Sequence, residues 1–288
     1  MTTAVAAPFR FFSLQVTGTR RLGPSLVRIG FAGPGLHAFA SHGRDQSLSL
    51  FLPHPGQDEP AVPLELGDGW WQGWRELPDD VRAVMRSYTL RARHRDAAGR
   101  TTGIDIDFAL HGTEPGTAAP AGPASRWAAR ARPGDRVLLL GPAVADNRAI
   151  RFRPPEDTDL VVMWGDETAV PAATAILESL PAGTRVRAWL EVRHAGDVQD
   201  VACRADAEIT WLVNDGSGAE GSPMALGALR AGGLPAAERP YVWLAGESGC
   251  VRALRRHCVG ERGIDKRRVT FVGYWRRGLT EEQLRAQE

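Results

Sequence analysis

The sequence predicts two domains of different class, an antiparallel β-barrel followed by a parallel-sheet α/β domain. Three observations predict it. Up to about residue 150, short strand-like runs recur between Gly and Pro clusters, with no convincing long helix. Farther on, near-continuous apolar runs alternate with amphipathic helical patterns, the mark of a parallel, helix-covered sheet. Between the two rhythms lies Arg151-Phe-Arg-Pro-Pro-Glu-Asp157. Its prolines remove backbone donors and bias the chain toward extended structure, as suits a linker. The expected domains are therefore 1–153 and 157–288, and at 288 residues each can bury its own core.

The barrel strands are expected at Phe11–Thr17, Leu26–Phe31, Leu48–Leu52, Ser87–Arg93, Ile104–Leu110 and Arg136–Leu140. A long excursion from Pro53 to Arg82 carries Trp70, Trp71 and Trp74, read as anchors for that loop rather than as a substrate platform. The stretch Thr113–Ala121, rich in Gly, Pro and Ala, reads as a mobile loop. In the second half the strands are Asp159–Trp164, Arg185–Val192, Glu208–Val213, Tyr241–Ala245 and Arg268–Gly273. Val170, Ala173, Leu177 and Leu180 fall on one helical face, as do Val251, Leu254 and Cys258. Thr280-Glu-Glu-Gln283 is a capping box for a short terminal helix. Open sheets of this kind bind ligands beyond the carboxyl ends of their strands.

The chain has 35 basic and 34 acidic residues, so no bulk field recruits nucleic acid or an anionic membrane. Local charge must catch any anionic ligand. The opening MTTAVAAPFRFFSLQV lacks the pattern of a secretory signal, and no run reaches the ~20 apolar residues of a membrane span. Cys203, Cys250 and Cys258 form no C-x-x-C pair, which points to reduced thiols, a cytoplasmic setting and buried small hydrophobes. They cannot supply the four thiolates of an iron–sulfur cluster. The seven histidines are scattered, and no metal site is expected.

The most informative stretch is Arg86-Ser-Tyr-Thr-Leu-Arg91. On a strand, Arg86 and Tyr88 share one face and Thr89 lies on the other. A guanidinium, a flat ring and a hydroxyl could serve a flavin nucleotide as phosphate clamp, platform and ring-edge hydrogen bond. A surface strand of alternating charge fits the hexapeptide equally well. Gly122-Pro-Ala-Ser-Arg-Trp127 reads as a turn into a helix start at Ser125, where free amides could meet a pyrophosphate. Trp164-Gly-Asp-Glu-Thr-Ala-Val-Pro171 follows a strand; Thr168 can cap the helix and Pro171 sits in its first turn. It is not a G-x-G-x-x-G loop, so no Rossmann site rests on it. Ala245-Gly-Glu-Ser-Gly249 and Gly273-Tyr-Trp-Arg-Arg-Gly278 end two later strands. Tyr274 and Trp275 could cover a flavin or simply pack.

R-x-Y-[ST]-x-R is the flavin fingerprint of the ferredoxin–NADP reductase superfamily. RSYTLR, DFALHG, GPASRWAARARPGD, GDETAVPA, LAGE and GYWRRG then occur in the order found in one of its branches. With these in place the chain resembles, nearly end to end, the siderophore-interacting protein family. The resemblance implies a Greek-key FAD-binding barrel followed by an NAD(P)H-binding α/β domain. It implies an oxidoreductase in which a hydride passes from NAD(P)H to FAD and single electrons then reach Fe(III) held by a siderophore. Arg86, Ser87, Tyr88, Thr89 and Arg91, with Leu110, His111, Pro123, Ala124, Ser125 and Trp127, would hold FAD, and Tyr88 and Thr89 would lie nearest the reacting ring. Gly165, Asp166, Glu167, Thr168, Ala169, Gly246 and Glu247 would receive the nicotinamide cofactor, with Tyr274 and Trp275 beside it.

Ser49 stands where the family often has a lysine for the anionic siderophore. Arg276, Arg277 or Arg130 would then carry the charge, or the siderophore is less anionic. Arg193 and His194 follow a strand where a 2′-phosphate would lie, while nearby Glu191 could instead meet a ribose hydroxyl, so NADH and NADPH both stay open. A monomer without stable membrane association is expected. Two other readings remain: a general flavin or quinone reductase on the same scaffold, and a non-catalytic siderophore-binding module.

Overall fold

The structure is a computed structural model describing residues 7–112, 121–214 and 223–285. The chain forms two compact units dividing between Ala149 and Ile150, with the short stretch Leu22–Ser25 counted in the second.

The first unit is built on seven strands, β1 (Phe9–Arg21), β2 (Leu26–Ala32), β3 (Ser47–Leu52), β4 (Val84–Thr89), β5 (Ala92–Arg95), β6 (Thr101–Ala109) and β7 (Arg136–Pro142). They pair antiparallel in the order β4-β3-β7-β1-β2-β6-β5. Alternation sets the inner face: Phe12, Leu14 and Val16 of β1 meet Ile29 and Phe31 of β2 and Ile104, Ile106 and Phe108 of β6. The expected strand Ser87–Arg93 is in fact two. β4 and β5 lie at opposite ends of the sheet, and Leu90 and Arg91 turn the corner between them. Their amides donate to Gln46 and Asp105 carbonyls, 2.9 Å each, which curls the sheet into a half-barrel.

The excursion holds a 3-10 turn at Leu64–Gly69 and a short α-helix, α1 (Trp70–Glu76), before β4 begins. Phe51, Trp74, Ala83, Met85 and Leu138 form a second, smaller core on the outer face of the sheet. Trp74 Nε1 donates to the Ala83 carbonyl at 3.2 Å, and Trp70 meets Phe11 edge to face at 4.9 Å. Trp70 and Trp74 thus fasten the loop, while Trp71 is exposed. A further helix, α2 (Pro123–Ala128), follows the Thr113–Ala121 stretch, of which residues 113–120 lie outside the described residues.

The second unit is a five-stranded parallel sheet of β8 (Leu160–Gly165), β9 (Arg185–Val192), β10 (Asp206–Val213), β11 (Pro240–Glu247) and β12 (Val269–Trp275), in the order β10-β9-β8-β11-β12. α3 (Val170–Ser179) packs Ala173, Ile176 and Leu177 against Met163, Ala188 and Trp243 on one face. α4 (Pro223–Gly232) and α5 (Ser248–Arg256) cover the other, where Leu229, Val251, Leu254 and Cys258 meet Val162, Trp164 and Leu244. The apolar faces expected for α3 and α5 are the ones buried. Cys203 departs from expectation: it is half-buried, and its Sγ lies 3.2 Å from the Leu177 carbonyl.

The chain enters this sheet at its centre, adds β9 and β10 on one side, then crosses to add β11 and β12 on the other. β8 and β11 therefore flank the point where strand order reverses, and beyond the carboxyl ends of strands at such a point open sheets bind their ligands. A terminal helix, α6 (Glu281–Arg285), begins on its capping box: the Thr280 amide donates to Gln283 Oε1 at 2.9 Å, and the Gln283 amide to Thr280 Oγ1 at 3.2 Å. No described helix is long and apolar enough to cross a membrane.

Candidate functional site

In the first unit, β4 presents Val84, Arg86 and Tyr88 to one face and Met85, Ser87 and Thr89 to the other. Tyr88 packs on Phe108 at 4.3 Å, Phe108 lies 5.9 Å from Trp127, and Trp127 stacks on Phe31 at 6.4 Å. This row of rings ties β4, β6, α2 and β2 into one wall. Arg86 Nη1 donates to its neighbour Met85's carbonyl at 2.8 Å. Arg91 sits with Arg28 around the buried Asp107: Arg28 donates to both carboxylate oxygens, at 2.6 and 2.8 Å, and Arg91 Nε lies 3.6 Å away.

α2 begins at Pro123, where a missing amide is harmless. The Ser125 hydroxyl is turned inward: it accepts from the His111 amide at 3.2 Å and lies 3.5 Å from the Ala109 carbonyl. Ser125 thereby fixes the chain at Leu110 and His111 to the start of α2. Leu110 and Ala124 are buried in the barrel core, so backbone is what they can offer a ligand. A cavity of about 1030 Å³ opens here, lined by residues 52–59, Val84, Pro123, Trp127 and three arginines, Arg126, Arg130 and Arg136. Arg136 pairs with Glu59, and Arg130 Nε donates to the Arg126 carbonyl at 3.2 Å.

Asp58, Glu59 and Asp135 also line this cavity, while Arg86, Tyr88 and Thr89 are not among its lining residues. The Trp127 ring, the three arginines and a volume of this size suit a dinucleotide bearing phosphates and so fit FAD. Arg126, Arg136 and the 52–59 segment were not singled out in the sequence. Arg126 lies inside the GPASRWAARARPGD motif without a role of its own there, whereas Arg136 and residues 52–59 belong to no motif and only the fold gathers them. Ser49 pairs with Ser87 across the β3–β4 ladder, so it lies on the face opposite Arg86 and Tyr88.

In the second unit the strand ends meet at Asp166, which follows β8 and is 4% exposed. Its Oδ1 accepts from the Thr168 amide at 3.0 Å and the Thr168 hydroxyl at 2.6 Å. Its Oδ2 accepts from the Glu247 amide at 2.7 Å and from Trp275 Nε1 at 2.8 Å. Thr168 is thus occupied locally and does not cap the helix; Ala169 stands at the cap of α3 without a side-chain bond.

Space for this arrangement comes from glycine. A methyl group on Gly246 would lie 2.5 Å from Asp166 Oδ2, and its φ of +139° is one that other residues rarely adopt. One on Gly273 would lie 2.4 Å from Ser248 Oγ, which donates to the Trp275 carbonyl at 2.9 Å. Glu247 caps α5 by accepting from the Cys250 amide at 2.8 Å, and its other oxygen accepts from the Arg277 amide at 3.4 Å.

Burial, reinforced by the neighbouring carboxylate of Glu167, pushes the Asp166 carboxyl up to about 6. Glu167 is raised as well by its own burial, although Arg193 Nε donates to it at 3.1 Å. Glu191 accepts from Asn214 Nδ2 at 2.6 Å. Arg193, weighed for a 2′-phosphate, and Glu191, weighed for a ribose hydroxyl, therefore have protein partners. Tyr274 packs against the core on the α3 face, and Arg276 and Arg277 are exposed. No group of His, Cys, Asp and Glu among the described residues could hold a metal ion.

Comparison with known proteins agrees with both units. Residues 15–146 match the model of the siderophore-interacting FAD-binding domain, and residues 158–278 that of the siderophore-interacting protein domain. The crystal structure of the siderophore-interacting protein SipS from Aeromonas hydrophila is 32% identical, with a TM-score of 0.72 and coverage of 97% of this chain and 96% of that one. Ferric vibriobactin reductase ViuB of Vibrio cholerae is 30% identical over 259 residues, 90% of this chain and 86% of that protein. The NADPH-dependent ferric-chelate reductase of Escherichia coli is 30% identical over 274 residues, 92% and 93% of the two chains.

Proposed function

The chain belongs to the siderophore-interacting protein family, and from that premise we propose that it is a ferric-siderophore reductase driven by NAD(P)H through FAD. The observation that carries the flavin half is the cavity where Arg126, Arg130 and Trp127 meet Pro123 and the Val84 end of β4. When bound, FAD accepts a hydride and returns single electrons, which is the conversion that iron needs.

The chain's own residues bind and orient. Arg86, Arg126 and Arg130 offer guanidinium groups to phosphates, with the Pro123–Ser125 turn beside them. Tyr88 offers its ring as a platform and Thr89 a hydroxyl for the ring edge. Their neighbours Ser87, Arg91, Leu110, His111 and Trp127 hold that wall in shape. In the second unit, the chain from Gly165 to Ala169 and the Gly246–Glu247 corner form the edge for the nicotinamide nucleotide, with Tyr274 and Trp275 next to it. Arg276 and Arg277 are the exposed cations closest in sequence to that edge, and we assign them to the anionic iron chelate. The same reading includes a monomer working in the cytoplasm without membrane anchorage.

The test is one anaerobic spectrum series. Bound flavin should bleach on addition of NADH or NADPH and regain its colour on addition of a ferric siderophore. Bleaching by neither nicotinamide contradicts the relay. Neutral Ser49 favours a second reading, reduction of free flavins or quinones; re-oxidation by iron chelates no faster than by dyes would select it.

A further inference from the structure

Three motifs meet at one carboxylate. β8, β11 and β12 are consecutive in the sheet, so the end of β12 lies two strands from the end of β8. Asp166 nevertheless bonds to both neighbours, to the Glu247 amide on β11 and to the Trp275 indole on β12. It reaches past β11 only because position 246 has no side chain. All four of its bonds are accepted ones, and a carboxylate is the side chain that accepts without donating. With four protein donors on its two oxygens, Asp166 is saturated by its own fold.

We propose that Asp166 is a positioning residue: it fixes the indole of Trp275, and with it the Gly273–Arg277 chain end, at the edge where the nicotinamide nucleotide docks, and does not itself contact the nucleotide. This rests on the reading of that edge as a nicotinamide site. Ser248 supports the same chain end from its other side by donating to the Trp275 carbonyl, and the Arg277 amide donates to Glu247. The consequence is a proton-sensitive contact. As pH falls through about 6, Asp166 gains a proton, one oxygen becomes a donor, and one of the four donors facing it is displaced. The charged groups around it are Glu167, which pairs with Arg193, Glu191 next to that pair, and the Glu247 carboxylate, already held by the Cys250 amide.

The test has two arms on the full-length flavoprotein. In ¹⁵N-labelled protein without nicotinamide, the indole N–H resonance lost in Trp275→Phe identifies Trp275. We expect it to titrate with a midpoint near 6 in the wild type, and to be shifted and pH-independent in Asp166→Asn. In stopped flow at pH 7.5, Asp166→Asn should slow flavin reduction by NADH or NADPH roughly tenfold, the scale of one hydrogen bond to a charged group. It should add nothing in a Trp275→Phe background, because residues acting through one contact do not sum.

An indole signal indifferent to Asp166, or equal slowing in both backgrounds, overturns the proposal. If Asp166→Asn fails to fold, Trp275→Phe reads the same contact from its other side: it must abolish the wild-type pH dependence of flavin reduction below pH 7. A wild type whose flavin neither nicotinamide reduces contradicts the proposed function instead, and the resonance arm then decides the Asp166–Trp275 contact alone.

Discussion

At position 246 a methyl group would sit within 3 Å of all three outer atoms of the Asp166 carboxyl, on a backbone at φ +139°. Gly246→Ala combines strain with a clash against a buried charge. We expect a loss of about 2–3 kcal/mol in unfolding free energy, measured by urea titration. In the proposed reading Arg86 acts on a ligand. Its Nη1 donates to the adjacent Met85 carbonyl, and Arg86→Ala should lower the melting temperature of the flavin-loaded protein more than that of the flavin-free protein, because a ligand stabilises the state that binds it. Flavin affinity should fall by about tenfold or more, the scale of a charge-assisted hydrogen bond, read from the visible absorbance retained on dilution. Unaltered flavin occupancy would remove Arg86 from the site.

Among the elements, α1 is a short helix fixed by two of its three tryptophans. Trp74 is 7% exposed and Trp71 39%. Trp74→Ala opens the outer-face core of Phe51, Met85 and Leu138, at a cost of about 3 kcal/mol. Trp71→Ala should change stability by less than about 0.5 kcal/mol. Limited proteolysis checks this, since only the first variant should expose residues 53–82 to early cleavage. Elements with a strict period were legible in the sequence: β9 runs Arg185–Val192 as expected, and α3 and α5 bury the predicted faces. The break at Leu90–Arg91 was not legible, because no Gly or Pro marks it. The corner is made by amide bonds to Gln46 and Asp105, remote in sequence.

For the molecule as a whole, the relay separates into donor and acceptor sides that can be tested apart. Arg276→Ala should raise the KM for ferric siderophore several-fold and leave NAD(P)H oxidation by a dye unchanged, measured as initial rates with each acceptor. Equal effects on both acceptors would deny Arg276 a substrate role. The net charge of +1 makes such local cations the means of attracting an anionic chelate.

The sequence by itself determined the two classes of domain, the order of the strands along the chain and the motifs that carry the family, since each is written in local periodicity or in contiguous residues. Only the tertiary structure decided what the polar groups of those motifs do. Thr168 and Ser125, legible as caps or ligands, bond within the protein. Asp166 joins Glu247 and Trp275, 81 and 109 residues away, and Arg126 and Arg136 share a cavity with residues 52–59. Hydrogen bonds and ion pairs between distant segments leave no periodic trace in the chain, because they depend on which strand ends the sheet order brings together.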